Sequence, residues 1–232
     1  MNEPQRSRVL PDGGTETESG DAADRSDAPD AADASEADST AEASTAADED
    51  RQFAVALDVL PQGRPGDDRP QYQKSPIAYA LGEADFRLFE LTLTDDADRS
   101  VGDRIALDPR PEDVSRYREV EHDDLTHNAA AEIEYAVEQI VETNERRFVD
   151  FYNDAEPITL RLHRLNLLPG IGKKLRNNVL DERKRGPFES FADIADRISG
   201  LHRPKEVLIE RIIEEIKEDD LKYRVFVDRR EE

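Results

Sequence analysis

Residues 165–176 read Leu-Asn-Leu-Leu-Pro-Gly-Ile-Gly-Lys-Lys-Leu-Arg, an apolar helix end, a Pro-Gly-Ile-Gly turn and a second helix that opens on two lysines. Pro169 ends the first helix, and Gly170 and Gly172 permit backbone angles and a close approach that a Cβ would block. The unpaired N–H groups of the second helix then face outward, with the positive end of the helix dipole behind them. Ile171, apolar at the tip of a polar turn, is expected to anchor the turn in its own core. The segment therefore predicts an anion-binding turn.

The pattern resembles the helix-hairpin-helix motif, which grips nucleic-acid phosphates without reading sequence and also serves as a packing element in protein scaffolds. The motif favours a small residue four positions after the second glycine. This chain has Arg176 there, which either changes how the two helices pack or adds a phosphate contact. The predicted phosphate-binding residues are Gly170, Ile171, Gly172, Lys173, Lys174 and Arg176, with Arg183, Lys184 and Arg185 at the rim.

The charge distribution supports this interpretation. Between Pro157 and Phe188 the chain has eight Lys or Arg and two acids, whereas the whole chain carries a net charge of −23. A basic island in so acidic a protein is unlike a generic solvated face and indicates an anionic partner.

The overall composition is typical of extreme halophiles, with 55 Asp or Glu, 25 Arg against 7 Lys, and no Cys. A carboxylate-rich surface stays hydrated in concentrated salt and repels itself in dilute buffer. The absence of Cys excludes disulfides and thiolate chemistry. No apolar run is long enough to span a bilayer and the N-terminus has no basic-then-apolar signal, so we expect a cytoplasmic protein without a membrane partner.

The first half of the chain divides into a tail and a set of short strands. Residues 1–50 contain 15 acids and almost no large apolar side chains, which predicts a disordered acidic tail. In residues 53–120, apolar side chains alternate with smaller or polar ones over 53–59, and strand-like segments follow at 76–81, 86–94 and 104–107, with a fifth at 116–120 left open. Four or five short strands predict a small closed or nearly closed OB- or S1-like β-barrel. Five aromatic residues of this region could stack on bases, although aromatics on a small barrel are more often core: Tyr72, Tyr79, Phe86, Phe89 and Tyr117. The region from 53 to 156 has 25 acids and 11 Lys or Arg, which argues against a broad basic groove there.

The second half of the chain, from residue 124 onward, is predicted to be mostly helical. Residues 124–152 predict one long connector helix with Thr126 as its N-cap, and residues 157–227 predict an all-α tandem helix-hairpin-helix domain whose first helix starts at Pro157. Ser190 is expected to cap a third helix and Asp193 to complete its capping box. A last β-like stretch covers 223–227. The predicted fold class is therefore α+β, a barrel followed by the connector and the helical domain.

Several segments together are similar to the archaeal domain-of-unknown-function family 655 over roughly residues 53–227. They are Asp124-Leu-Thr before a long helix, Asn144-Glu-Arg-Arg-Phe-Val-Asp-Phe-Tyr-Asn, Pro157-Ile-Thr, Leu165 to Leu175, and Gly186-Pro-Phe-Glu-Ser-Phe-Ala-Asp-Ile. The resemblance implies an OB-like barrel followed by a helix-hairpin-helix domain, nucleotide or nucleic-acid binding, and a link to RNA or translation. It implies no reaction.

Three classes of function remain open. We favour a non-enzymatic protein that binds nucleic acid independently of its sequence, and RNA rather than DNA. This function is expected to need no cofactor and no metal. The second class is a protein–protein adaptor in an RNA, ribosome or translation-associated complex. The third is a DNA glycosylase, because Asp193 lies 21 residues after Gly172, as a catalytic Asp would. Asp193 is better explained as a helix cap, and His122, His127, His163 and His202 lack metal-ligand spacing.

Overall fold

The structure is a computed structural model that describes residues 51–64, 66 and 68–228. The predicted acidic tail, residues 1–50, lies outside these residues. The strands are β1 Gln52–Leu60, β2 Ile77–Gly82, β3 Leu88–Leu93, β4 Arg104–Asp108 and β5 Val114–Val120. The α-helices are α1 His127–Thr143, α2 Glu145–Asp154, α3 Lys173–Arg183, α4 Phe191–Arg197 and α5 Pro204–Lys217. The four predicted strands are confirmed, and the fifth, which the sequence left open, is also present.

The five strands form an open, curled antiparallel sheet of order β4-β1-β2-β3-β5, so the predicted closed or nearly closed barrel is wrong. A closed barrel requires the two edge strands, here β4 and β5, to pair with each other. Within the described chain β4 pairs only with β1, and β5 pairs only with β3. Residues 115–118 of β5 are exposed and polar, which suits an edge strand in water. Register shifts between Ala56 and Asp58 and between Thr92 and Leu93 bend the strands into the curl.

The two faces of the sheet belong to two hydrophobic clusters. Val55 and Leu57 of β1 point to the face that packs against the helices, while Ala54 and Ala56 point to the other face. Small alanines on this second face let the sheet curl around Phe89 and its neighbours. The first cluster extends from the sheet through all five helices.

The predicted connector begins as expected but is not one helix. Thr126 caps α1, with its Oγ1 accepting from the Ala129 N–H at 3.1 Å. The helix ends at Thr143, because Asn144 leaves helical geometry at φ −115° and ψ 36° and its side-chain amide donates to the Ile140 carbonyl at 2.9 Å. A side chain that hydrogen-bonds the preceding turn in this way competes with the helical backbone.

The predicted first hairpin helix is absent, so the tandem helix-hairpin-helix domain is also wrong. Pro157 bridges His163 in an antiparallel turn, and the Thr159 Oγ1 accepts from the amides of Arg161 and Leu162 at 3.3 and 3.1 Å. This local hydroxyl turn uses backbone groups that a helix would need. Only a short 3-10 helix, Arg164–Leu167, precedes the glycine turn.

The helix that opens at Lys173 and the helix capped by Ser190 occur where the sequence predicts them. The Ser190 Oγ caps α4 by accepting from the Asp193 N–H at 3.1 Å. The stretch 223–227 is not a strand. It is held instead by the fully buried carboxylate of Glu215, which accepts from the amides of Val225, Phe226 and Val227.

Candidate nucleic-acid interface

The glycine turn has the geometry that its sequence predicts. Gly170 adopts φ +73°, a left-handed angle that favours glycine. Ile171 is only 3% exposed, and its N–H donates to the Leu168 carbonyl at 3.1 Å. The predicted anchoring role of Ile171 is confirmed, and the turn is a fixed feature of the surface.

A side-chain network that the sequence did not indicate braces this turn. The Asn166 amide donates to the Ile171 carbonyl at 3.0 Å, and the Arg176 guanidinium donates to the Asn166 Oδ1 at 3.1 Å. Arg176 also donates to the Asn177 Oδ1 at 2.9 Å. Arg176 therefore holds the turn in place through Asn166, and an amide three residues before the Pro-Gly pair is the signal that could have revealed this contact.

The start of α3 is arranged to leave its backbone donors available. Gly172 is the N-cap and has no side chain to bond the first-turn N–H groups, and the first turn contains no acid. A Cβ added at Gly172 would meet no atom within 4 Å, so the fold itself does not require glycine there. The N–H groups of Lys173, Lys174 and Leu175 lack helical partners, as at every helix start. The dipole of α3 adds partial positive charge at this point.

The lysines that follow are exposed, and within the described part of the chain neither ammonium has an ion-pair partner. Arg161 and Arg164, in the segment just before the turn, are also exposed and make no side-chain ion pair with a described residue. These four cations are therefore not neutralised locally.

The predicted rim residues lie at the other end of α3. A helix of eleven residues places them about 16 Å from the turn. Arg183 donates to the carbonyls of Tyr152 and Ala155 at 3.3 and 2.9 Å, at the end of α2. Lys184 pairs with Asp181 at 3.0 Å and Arg185 with Glu182. The basic island thus has one half at the turn, whose cations make no ion pair with a described residue, and a second half, whose side chains already bond to backbone carbonyls or to acids.

Acidic side chains lie beside the turn on the other side. A groove of about 640 Å³ runs between the turn and α5, and its lining includes Glu210, Arg211 and Glu214. Arg211 pairs with Glu214 at 2.7 Å. A polyanion is expected to approach from the α3 side and avoid this groove.

His163 is buried and caps the 3-10 helix that precedes the turn, its Nδ1 accepting from the Leu165 N–H at 3.2 Å. Burial lowers the pKa of His163, and the nearby guanidiniums of Arg183 and Arg176 lower it further. The neutral imidazole is therefore the form that the folded protein selects.

The remaining candidates from the sequence are placed as follows. Tyr79, Phe86 and Phe89 are buried in the clusters on the two faces of the sheet, whereas Tyr72 is 83% exposed. The Asp193 carboxylate accepts from the Glu189 N–H at 3.1 Å and pairs with Arg197 at 3.0 Å, as a helix cap would. In the described ranges no group of His, Asp or Glu could hold a metal ion, and no helix is long and apolar enough to cross a membrane.

The chain is similar in sequence and in fold to known archaeal proteins. A family model described as "Protein of unknown function (DUF655)" matches residues 50–228. "Uncharacterized protein MJ0038" of Methanocaldococcus jannaschii is 37% identical over 178 residues, which is 75% of this chain and 79% of that protein. The crystal structure of Af1531 from Archaeoglobus fulgidus superposes with a TM-score of 0.70 at 39% identity, covering 76% of this chain and 99% of that one.

Proposed function

The chain belongs to the DUF655 family. We propose, from the geometry of the glycine turn, that it is a cytoplasmic, non-enzymatic nucleic-acid-binding protein that contacts the phosphate backbone of RNA rather than DNA. The contact is made by the turn and the first turn of α3, Gly170 to Lys174, and involves no cofactor. Because these groups are backbone amides and flexible ammonium groups, binding is expected to be largely independent of sequence.

The observation that carries this proposal is the combination at the start of α3 of uncapped backbone donors and unpaired lysines. Relative to glycine, an N-cap Ser, Thr, Asp or Asn would satisfy one of the donors with its side chain and stabilise the helix by only a few tenths of a kcal/mol. The chain has Gly172 instead, in a position where a Cβ has open space. Leaving that stabilisation unused is consistent with a ligand oxygen occupying the place of the cap.

The N-cap position therefore supports a test in which stability and binding move in opposite directions. We expect Gly172→Ser to raise the melting temperature, because the serine hydroxyl caps α3, and to weaken binding of a fluorescein-labelled single-stranded RNA about tenfold, because the same hydroxyl takes a donor from the phosphate. Fluorescence anisotropy and thermal unfolding measure the two effects. Equal affinity of the stabilised variant and the wild type would contradict the proposed contact.

Charge reversal at the lysines tests the electrostatic part. Lys173→Glu/Lys174→Glu should weaken binding of every RNA sequence alike and flatten the plot of log affinity against log salt by about two. The matched control is Arg110→Glu/Lys217→Glu, which changes the net charge equally at exposed positions elsewhere. The same titrations with DNA of identical sequence test the preference for RNA.

A protein–protein adaptor is the second candidate, because Leu160 is fully exposed at the tip of the hydroxyl-bonded turn before the interface. A phosphate backbone offers an apolar side chain nothing to bury against, whereas a protein partner does. If Leu160→Ser abolishes a nuclease-resistant complex from native cells while RNA affinity is unchanged by the lysine variants, the adaptor function replaces the RNA-binding one.

A further inference from the structure

A second basic site lies on the sheet, in the half of the chain whose overall charge is acidic. A cleft of about 560 Å³ opens between strands β3 and β5 and the connection from β1 to β2. Four arginines and one carboxylate line it, namely Arg64, Arg69, Arg116, Arg118 and Glu90. We propose that this cleft binds the phosphate groups of a nucleotide-sized anion. The proposal is independent of the function assigned to the glycine turn.

Strand register explains why these residues meet. Arg116 and Arg118 are two apart on β5 and therefore share one face of the sheet. On β3 their partners are Thr92 and Glu90, respectively. The sequence separates these residues by 24 to 28 positions, so only the antiparallel pairing of β3 with β5 assembles the site.

Glu90 fixes the orientation of two of the arginines. Its side chain is nearly buried and pairs with Arg64 and, at 3.1 Å, with Arg118. Burial alone would raise the pKa of Glu90, but the hydrogen bonds from Arg118 and Arg64 outweigh it and hold the pKa below its usual value. The carboxylate is therefore ionised at neutral pH, and it aligns two guanidinium groups before any ligand arrives.

The charge of the lining determines the chemistry of the ligand. Even with Arg69 left out of the count, the guanidiniums of Arg64, Arg116 and Arg118 outnumber the single Glu90 carboxylate, so the lining is net positive in a chain of net charge −23. Arg116 is exposed, and its Nε donates to the Thr92 hydroxyl at 3.2 Å, a neutral partner that does not compensate its charge. Guanidinium groups match the oxygens of a phosphate in a two-point geometry. The volume lies within the range of small-ligand pockets, so an anion the size of a nucleotide fits.

The phosphate could come from a free nucleotide or from a nucleic-acid backbone, and the experiment separates these two sources. Isothermal titration calorimetry of the full chain with inorganic pyrophosphate and with ADP measures the first. Anisotropy with a 12-nucleotide RNA, in the Lys173→Glu/Lys174→Glu background, measures the second. Each is repeated with Arg116→Gln and with Arg110→Gln, an exposed arginine outside the cleft that gives the same change of charge.

We expect Arg116→Gln to weaken binding of pyrophosphate and ADP about tenfold and Arg110→Gln to have no effect, because one charge-assisted hydrogen bond is lost. A site for the RNA backbone is indicated instead if pyrophosphate and ADP do not bind but Arg116→Gln removes residual RNA binding. Thermal unfolding checks that the variants stay folded. The proposal is overturned if no probe responds to Arg116→Gln, or if Arg110→Gln has an equal effect. Neither result depends on the Gly172→Ser test of the turn.

Discussion

At the residue scale, His163 stabilises the 3-10 helix that leads into the glycine turn of the candidate interface. Its ring nitrogen Nδ1 must be unprotonated to accept the Leu165 N–H, and the 3-10 helix that it caps contains Asn166, the residue through which Arg176 braces the turn. A buried histidine that serves as an acceptor near two arginines makes the local fold sensitive to acid.

We expect the stability of the protein to fall as the pH is lowered past 6.5, the ordinary pKa of histidine. Because the folded pKa of His163 is lowered, the unfolded chain binds the proton first, so the contribution is complete above the unfolded pKa and declines as the pH approaches the folded one. Asparagine supplies a cap acceptor without titrating, and His163→Asn should therefore reduce the slope of melting temperature between pH 7.5 and 5.5. His202→Asn, at an exposed histidine, is the control. An unchanged slope for His163→Asn would show that another titrating group causes the loss of stability between pH 7.5 and 5.5.

At the scale of elements, a buried ion pair attaches the C-terminal segment to α5. Arg211 and Glu215 are both buried and their side chains are 2.7 Å apart. The Glu215 carboxylate also accepts three backbone amides, and Arg211 donates to the Tyr223 carbonyl at 2.6 Å. The segment lacks strand pairing, so these contacts supply its hydrogen bonds and seat Phe226 against Phe151 at a ring distance of 4.8 Å.

Removing the cation should therefore cost much more than a surface change. We expect Arg211→Met to lower the free energy of unfolding by about 3 kcal/mol, because it leaves the Glu215 charge buried without its partner. Urea unfolding at constant salt measures the loss, and Lys217→Met, at an exposed position on the same helix, should change stability by less than about 0.5 kcal/mol. Arg211→Met as stable as the Lys217 variant would mean that the amides alone stabilise the carboxylate.

At the scale of the whole molecule, the excess of 55 acids over 32 Lys and Arg determines the solvent that the fold needs. Self-repulsion opposes the compact state when counterions are few, and salt screens it. We expect the melting temperature to rise by roughly 5–10 °C between 0.1 and 2 M KCl, which corresponds to a few kcal/mol for a chain of this size. Circular dichroism follows the transition, with sorbitol at matched osmolality as the uncharged control. A melting temperature that does not change with KCl would refute the halophilic interpretation of the composition.

The sequence alone determined the features that depend on a few neighbouring residues. Period-two alternation located the first strand, and short apolar segments between turn signals located the next three. Thr126 and Ser190 marked helix starts because their hydroxyls reach the next turn, and Gly170 with Ile171 specified the glycine turn. In each case the free energy is set within about one turn or one strand, so a local pattern is sufficient.

The tertiary structure decided the features that depend on competition between distant groups. Whether β4 and β5 pair, whether residues 157–163 become a helix or a hydroxyl turn, and whether Arg183 faces a ligand or the end of α2 all depend on partners that the sequence does not place. The arginines around Glu90 are another case that the sequence could not predict. The net negative charge summed over residues 53–156 concealed a cleft whose own lining is positive. Antiparallel register brings such residues together, and register is fixed by the packing of the whole sheet.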